Sequence, residues 1–258
     1  MKLLAFDTST EVMTIAVQHG AQVWTHAGAG GAQTSATLIP AIQSLMQQAG
    51  LAFAQLDAIA FGRGPGSFTG LRTACSVAQG LAFAAKVKVL PMDTLMVLAE
   101  EAYFASPADS KPEWVCAALD ARMGEVYCAT YRYKQDTNQA LSQAISKARL
   151  HAPADIALPS GPTQALGRAL VCGNVRPAYD AQLNAIVLAA PFLGCLPTAT
   201  AMLRLAPRLI AAGTLVDAAQ ALPLYIRDKV AQTTAERAAI ASAPVPAPAP
   251  AKPYTAQP

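Results

Sequence analysis

Three short segments hold the residues that could do chemistry. Asp7-Thr8-Ser9-Thr10 places a carboxylate and three hydroxyls on consecutive residues. Gly62-Arg63-Gly64-Pro65-Gly66-Ser67-Phe68-Thr69-Gly70-Leu71-Arg72 packs four glycines and a proline into one loop. Leu119-Asp120-Ala121-Arg122-Met123-Gly124-Glu125-Val126-Tyr127 sets a second Asp at the end of an apolar run. A carboxylate beside hydroxyls and turn N–H groups can face a metal-phosphate. The same residues can instead satisfy a local Asx-type turn. Asp7, Thr8, Ser9 and Thr10 are therefore nucleotide or phosphate candidates with a bland alternative beside them. Asp120 has the same two readings, and Arg122 and Glu125 could simply pair with neighbouring charges.

The glycine loop also reads two ways. It lies between a strand-like run and a helix-like run, so the helix's first N–H groups would suit a phosphate, with Gly64, Gly66 and Ser67 around it. Alternatively its glycines serve only turn geometry or the close approach of a partner chain. It matches neither common nucleotide loop. Pro65 stands where the phosphate-loop template needs its first glycine, and Leu71 stands where that template needs lysine. Gly-x-Gly-x-x-Gly fails too, ending on Ser67 or Thr69.

These segments must be held by regular elements. Strands are expected at Leu3–Phe6, Met13–Val17, Val23–His26, Leu56–Phe61, Val87–Leu90, Val115–Leu119 and Glu125–Tyr133. A helix over 34–49, capped by Thr34 or Ser35, has apolar Leu38, Ile39, Ile42, Leu45 and Met46 at helical spacing. Pro40 means that it starts later or kinks. A second helix, 71–85, is apolar most of the way round, with Val77 and Leu81 on one side and Ala74, Ala78 and Ala82 on another. Such a helix needs cover on more than one face. Further helices are expected over Leu95–Phe104 and Leu196–Gly213, and Ala221–Arg227 reads as extended. Apolar strand, terminal Asp, turn, Glu-Val and second strand occur twice, at Leu4–Val12 and Ala117–Val126, as in a duplicated unit.

Composition sets bounds. The 258 residues suffice for one large domain or two smaller ones, burying roughly three quarters of the extended chain's surface. Charged residues make up only 14% against 53% hydrophobic, as if some apolar surface were reserved for a partner. A net charge of +3 is too small to argue for nucleic-acid binding by itself. The five cysteines form no C-x-x-C pair and no leader is visible, which fits a reducing cytoplasm. No stretch reads as a membrane span, because Pro191 and Pro197 interrupt the most apolar one. His19, His26 and His151 show no metal-ligand spacing.

Together the Asp7–Thr10 turn, the Gly62–Arg72 loop, the Leu119–Tyr127 hairpin and Leu222-Pro223-Leu224-Tyr225-Ile226-Arg227-Asp228-Lys229-Val230-Ala231 resemble the bacterial TsaB family, formerly YeaZ. The resemblance covers about residues 1–235. It implies an α/β chain of the actin-like, sugar-kinase-like ATPase (ASKHA) fold, with two half-domains that each hold a mixed sheet flanked by helices. The expected division is 1–105, a reduced second half 106–238 whose late helix packs back on the first, and a disordered Pro/Ala tail 239–258. It implies a cytoplasmic, non-catalytic subunit for N6-threonylcarbamoyladenosine (t6A) in tRNA, beside the anticodon. The implied partners are TsaD directly, TsaE within the complex and tRNA as the complex's substrate.

The implied interface is Leu38, Ile39, Ile42, Leu45, Val77 and Leu81, meeting TsaD or, in the free protein, a second copy. No intrinsic cofactor or metal is implied, only ATP or ADP with Mg²⁺ at the complex interface. In TsaD a His-x-x-x-His pair binds metal. Here the matching positions are Thr94 and Leu98, which cannot replace histidine at a transition metal. The His-Ser-Gln lead-in to the family's first helix is replaced by Ala32-Gln33-Thr34-Ser35. Two alternatives belong to other classes: a stand-alone ATP-dependent enzyme using Asp7 and Asp120, and a metallopeptidase.

Overall fold

The computed structural model describes residues 1–134, 141–159 and 169–227. The expected Pro/Ala tail, the end of the Leu222–Ala231 motif and parts of 135–185 lie outside these residues. Two sheets dominate. The first joins β1 (Lys2–Asp7), β2 (Val12–His19), β3 (Gln22–Ala29), β4 (Ala58–Gly64) and β5 (Val89–Asp93) in the order β3-β2-β1-β4-β5. The second joins β6 (Trp114–Arg122), β7 (Glu125–Lys134), β8 (Leu141–Ala144), β10 (Ala169–Gly173) and β11 (Phe192–Gly194) in the order β8-β7-β6-β10-β11, while β9 (Arg149–His151) pairs with β7.

The two sheets are built alike. The first strand pairs antiparallel with the second and parallel with a later strand, which pairs parallel with the last. Asp7 ends β1 and Asp120 lies near the end of β6, so the sequence repeat is a repeat of topology. Central strands are covered on both faces and read as nearly continuous apolar runs.

Strand parity sorts these side chains into layers. Leu4, Phe6, Ile59 and Phe61 face α1 (Thr34–Gln48) and α2 (Phe68–Ala85), and Leu3, Ala5, Ala58 and Ala60 face the other way. On that second face lies α6 (Ala199–Ala211), whose Ala199, Met202, Leu203 and Ala206 share their core. The second sheet is covered by α3 (Thr94–Ala105) on one face. On the other lie two short helices, α4 (Val175–Tyr179) and α5 (Ala185–Ala189).

A division at 105/106 therefore cuts between partners. Helix α3 follows the first sheet in sequence, yet Leu95, Leu98, Ala99 and Ala102 pack on the second sheet; α6 follows the second sheet and packs on the first. Arg204 of α6 ties them, with Nη2 2.7 Å from Glu101 Oε2 and Nε 3.5 Å from Glu100 Oε1. Burial raises the Glu100 pKa against the pull of Arg204 and Arg208. Residues 1–226 accordingly form one compact unit.

Several boundaries differ from expectation. Helix α1 starts at Thr34 and runs through Pro40, whose missing N–H leaves a carbonyl of the preceding turn free on an exposed side. Strand β4 continues to Gly64, because Gly62 and Gly64 still pair with β5. Helix α6 starts at Ala199, where the Thr198 side chain accepts from the Ala201 N–H.

Candidate functional site

The Asp7–Thr10 turn and the glycine loop meet. Asp7 and Thr8 are fully buried, and Ser9 and Thr10 are 3% and 8% exposed. Asp7 Oδ1 accepts from the Ser9 backbone N–H at 2.8 Å and from Ser9 Oγ at 2.6 Å. Thr8 Oγ1 donates to the Gly70 carbonyl at 2.7 Å, and the Ser67 N–H donates to the Ser9 carbonyl at 2.7 Å. Thr10 Oγ1 bonds to the backbone of Val12. All three hydroxyls are therefore used within the chain.

The glycines let the loop lie against this turn. A Cβ on Gly70 would stand 1.9 Å from the Thr8 carbonyl oxygen, and one on Gly66 would stand 2.5 Å from the Ser9 carbonyl oxygen. One on Gly62 would meet Asp7 Oδ2 at 1.8 Å. Gly64 has a φ of +116° and lies under Leu224, whose N–H donates to the Arg63 carbonyl at 2.7 Å. Glycine is required because backbone meets backbone. Sequence reasoning kept this reading open without finding the loop's neighbours, the Asp7–Thr10 turn and the Ala221–Ile226 segment.

Asp7 Oδ2 is buried and has no hydrogen-bond partner among the described residues. Desolvation accordingly pushes the Asp7 pKa up to about 6, opposed by the two Ser9 bonds. A magnesium-nucleotide needs oxygens and N–H groups that it can reach. Asp7 lies beneath Gly62, the hydroxyls of Thr8, Ser9 and Thr10 are spent, and Gly64 is buried, whereas Gly66 is half-buried and Ser67 exposed at the N-terminal end of α2. Ser67 further caps α2, accepting from the Gly70 N–H at 3.5 Å. The Asp7–Thr10 side of the expected phosphate cradle is thus filled by protein, and the side chains of that turn do not fit the group.

Asp120 sits differently. Its Oδ1 accepts from Tyr179 Oη at 2.6 Å and from the Arg122 N–H at 2.7 Å, and Oδ2 lies 3.0 Å from Arg122 Nη1. Burial and this carboxylate push the Tyr179 pKa up to about 12. Asp7 and Asp120 terminate strands of different sheets and are engaged separately. Thr94 and Leu98 are fully buried, and no group of three metal-binding side chains occurs among the described residues.

The interface candidates divide into two faces. Leu38 and Ile42 are fully buried and Leu45 is nearly so, packed with Phe6, Ile15 and Phe61. They cannot form a free partner surface, because they cover this chain's own sheet. At roughly 1.5–3 kcal/mol per buried large aliphatic side chain, that cover is what holds α1 in place. Val77 and Leu81 are half-buried against the same core. Ile39 alone of the six is exposed, beside Ala36, Pro40 and Gln43. On α2 the exposed stripe is Arg72, Ser76, Gly80 and Phe83.

Residues 25–243 match the family model described as TsaD: tRNA N6-adenosine threonylcarbamoyltransferase. The tRNA threonylcarbamoyladenosine biosynthesis protein TsaB of Escherichia coli (strain K12) is 31% identical over 240 residues, covering 90% of this chain and 96% of the relative. The chain belongs to the TsaB (YeaZ) family. The TsaB of Haemophilus influenzae (strain ATCC 51907 / DSM 11121 / KW20 / Rd) is 42% identical over 128 residues, 49% of this chain and 52% of that one. Among solved structures, YeaZ from Pseudomonas aeruginosa superposes with a TM-score of 0.75 at 35% identity, covering 87% of this chain and 99% of that chain. The TsaB-family match and the paired, duplicated sheets agree with the expected actin-like, sugar-kinase-like fold.

Proposed function

We propose that this chain is a non-catalytic subunit of the machinery that forms t6A in tRNA. The names of its TsaB relatives support a role in t6A biosynthesis. In this reading it binds TsaD directly, TsaE joins the pair, and the threonylcarbamoyl group passes to the adenosine beside the anticodon in the partner's site. The setting is the cytoplasm. ATP or ADP with Mg²⁺ would be held at a subunit junction and not within this chain. Among the described residues no helix is long and apolar enough to cross a membrane.

One observation carries the subunit reading. The outer face of α1 and α2 is exposed, and α1 holds no charged residue while α2 holds one. Ala36, Ile39, Pro40, Ser76 and Gly80 make it small-featured and weakly polar, so another helix can approach closely. The buried, spent groups of the Asp7–Thr10 turn support the non-catalytic part, since a catalytic group must reach its substrate. The test is t6A formation on tRNA by TsaD with wild-type chain, with Ile39→Glu, or with none. The expected outcome is activity with wild type only. Equal t6A formation without this chain would overturn the proposal.

A further inference from the structure

Among the 15 residues of α1 and the 18 of α2, Arg72 is the single charged side chain. It stands in the exposed α2 stripe, four residues before Ser76 and eight before Gly80. Its guanidinium is set in place. Cζ lies 3.8 Å over the Phe68 ring, and Nε donates to Tyr225 Oη at 3.2 Å. Phe68 and Tyr225 pack with ring centroids 5.5 Å apart. The terminal nitrogens of Arg72 have no partner among the described residues. A stacked, pre-set guanidinium whose outer fork has no partner among the described residues matches an incoming carboxylate in geometry and charge. Leu222 and Tyr225, 63% and 45% exposed, continue the patch beyond the helix.

Resting on the subunit reading above, we infer that Arg72 is the specificity anchor of the α1/α2 face and takes a carboxylate from the partner protein. The matching helices of a second copy would leave Arg72 unpaired, because neither α1 nor α2 carries an acid. The inferred occupant is therefore a different protein, a TsaD-type subunit presenting an Asp or Glu at that end of its matching helices. An RNA phosphate fits less well. Phosphate footprints need clustered cations, and the nearby Arg63 is already held by Asp93 at 2.6 Å. Arg and Tyr are also the side chains that most often dominate protein interfaces.

The test is the affinity of the full chain for purified TsaD from the same source, with folding of each variant checked by melting. Arg72→Glu is expected to weaken binding about 30-fold or more, as for a charge pair at an interface. Arg72→Lys is expected to fall between the two, because it loses the fork. Ser76→Arg, in the middle of the face, is expected to abolish binding. If Ser76→Arg abolishes binding while Arg72→Glu stays within twofold, the face is right and the anchor is wrong. If neither variant matters, the face itself is wrong. If Arg72→Glu spares TsaD binding and instead weakens binding of tRNA to the chain, the group recognised is an RNA phosphate and the inference is overturned.

Discussion

The turns that follow β1 and β6 start from the same local plan and end differently. At the first, Asp7 is sealed beneath a glycine loop with one oxygen unpartnered. At the second, Asp120 is satisfied by Arg122 and Tyr179 near the end of its strand. The elements that follow diverge in step. After β4 comes the 18-residue α2, with an outer face that nothing among the described residues covers, whereas after β10 comes the five-residue α4. A strand-end carboxylate can thus become a packing joint. What the joint secures here is the N-terminal end of α2, and with it the proposed partner face.

Steric variants in the glycine loop break this comparison most strongly. Gly70→Ala drives a Cβ into the Thr8 carbonyl oxygen, and a loss of roughly 3–5 kcal/mol in chemical denaturation is expected. In the second half the joint is Gly173, where a Cβ would stand 1.8 Å from the Ala118 carbonyl oxygen at a φ of +123°. Gly173→Ala should cost a similar amount, which would show that both halves rely on backbone contact although only one seals its carboxylate. Close behind comes the contrast between the two sides of α1. Leu38→Ala should cost about 2–5 kcal/mol. Ile39→Glu should leave the melting temperature nearly unchanged, within about 0.5 kcal/mol.

A pH response is expected at Asp7. The folded-state pKa of Asp7 is raised from 3.8 to about 6, so the fold holds its proton more tightly than the unfolded chain. Its favourable contribution is complete below pH 4 and is lost as pH rises through 6. Asp7→Asn removes that dependence. Relative to wild type it should gain roughly 2–3 kcal/mol between pH 4 and pH 7 in urea titrations. Asp120→Asn should instead cost up to about 1 kcal/mol at pH 7, through an ion pair whose Arg122 side is exposed. No gain for Asp7→Asn between pH 4 and pH 7 would contradict the assignment of Asp7 as a sealed site. A small gain is expected at Gly80, whose Cβ position is open. Gly80→Ala should stabilise α2 by about 0.5–1 kcal/mol while adding a methyl to the partner face.

Much of this was legible in the residues. The strand–Asp–turn–strand repeat gave the duplicated topology, since alternation and turn chemistry are local properties. The glycine loop could be located because close backbone approach leaves glycine as its trace. What it approaches was not legible. Its neighbours are 55 or more residues away in the turn and at Leu224, and nothing in the loop's own composition names them. The apolar spacing of Leu38, Ile42 and Leu45 predicted burial, but burial against the chain's own sheet and burial against a partner leave the same pattern. Helices α3 and α6 are apolar enough to pack on either sheet, so their exchange between the halves could be read only from the fold. The Arg204 bridge to Glu100 and Glu101 left a trace, two adjacent acids in an apolar helix. The stacking of Arg72 on Phe68 left only its i, i+4 spacing.

The central claim is that this chain acts as a partner subunit through the outer face of α1 and α2. Its most direct test is the molar mass, by size-exclusion chromatography with light scattering, of TsaD mixed with wild-type chain or with Ile39→Glu, with and without ATP. The predicted result is a one-to-one complex with wild type and separate components with the folded variant. A complex that forms equally well with Ile39→Glu, or no complex with wild type under either condition, would contradict the claim.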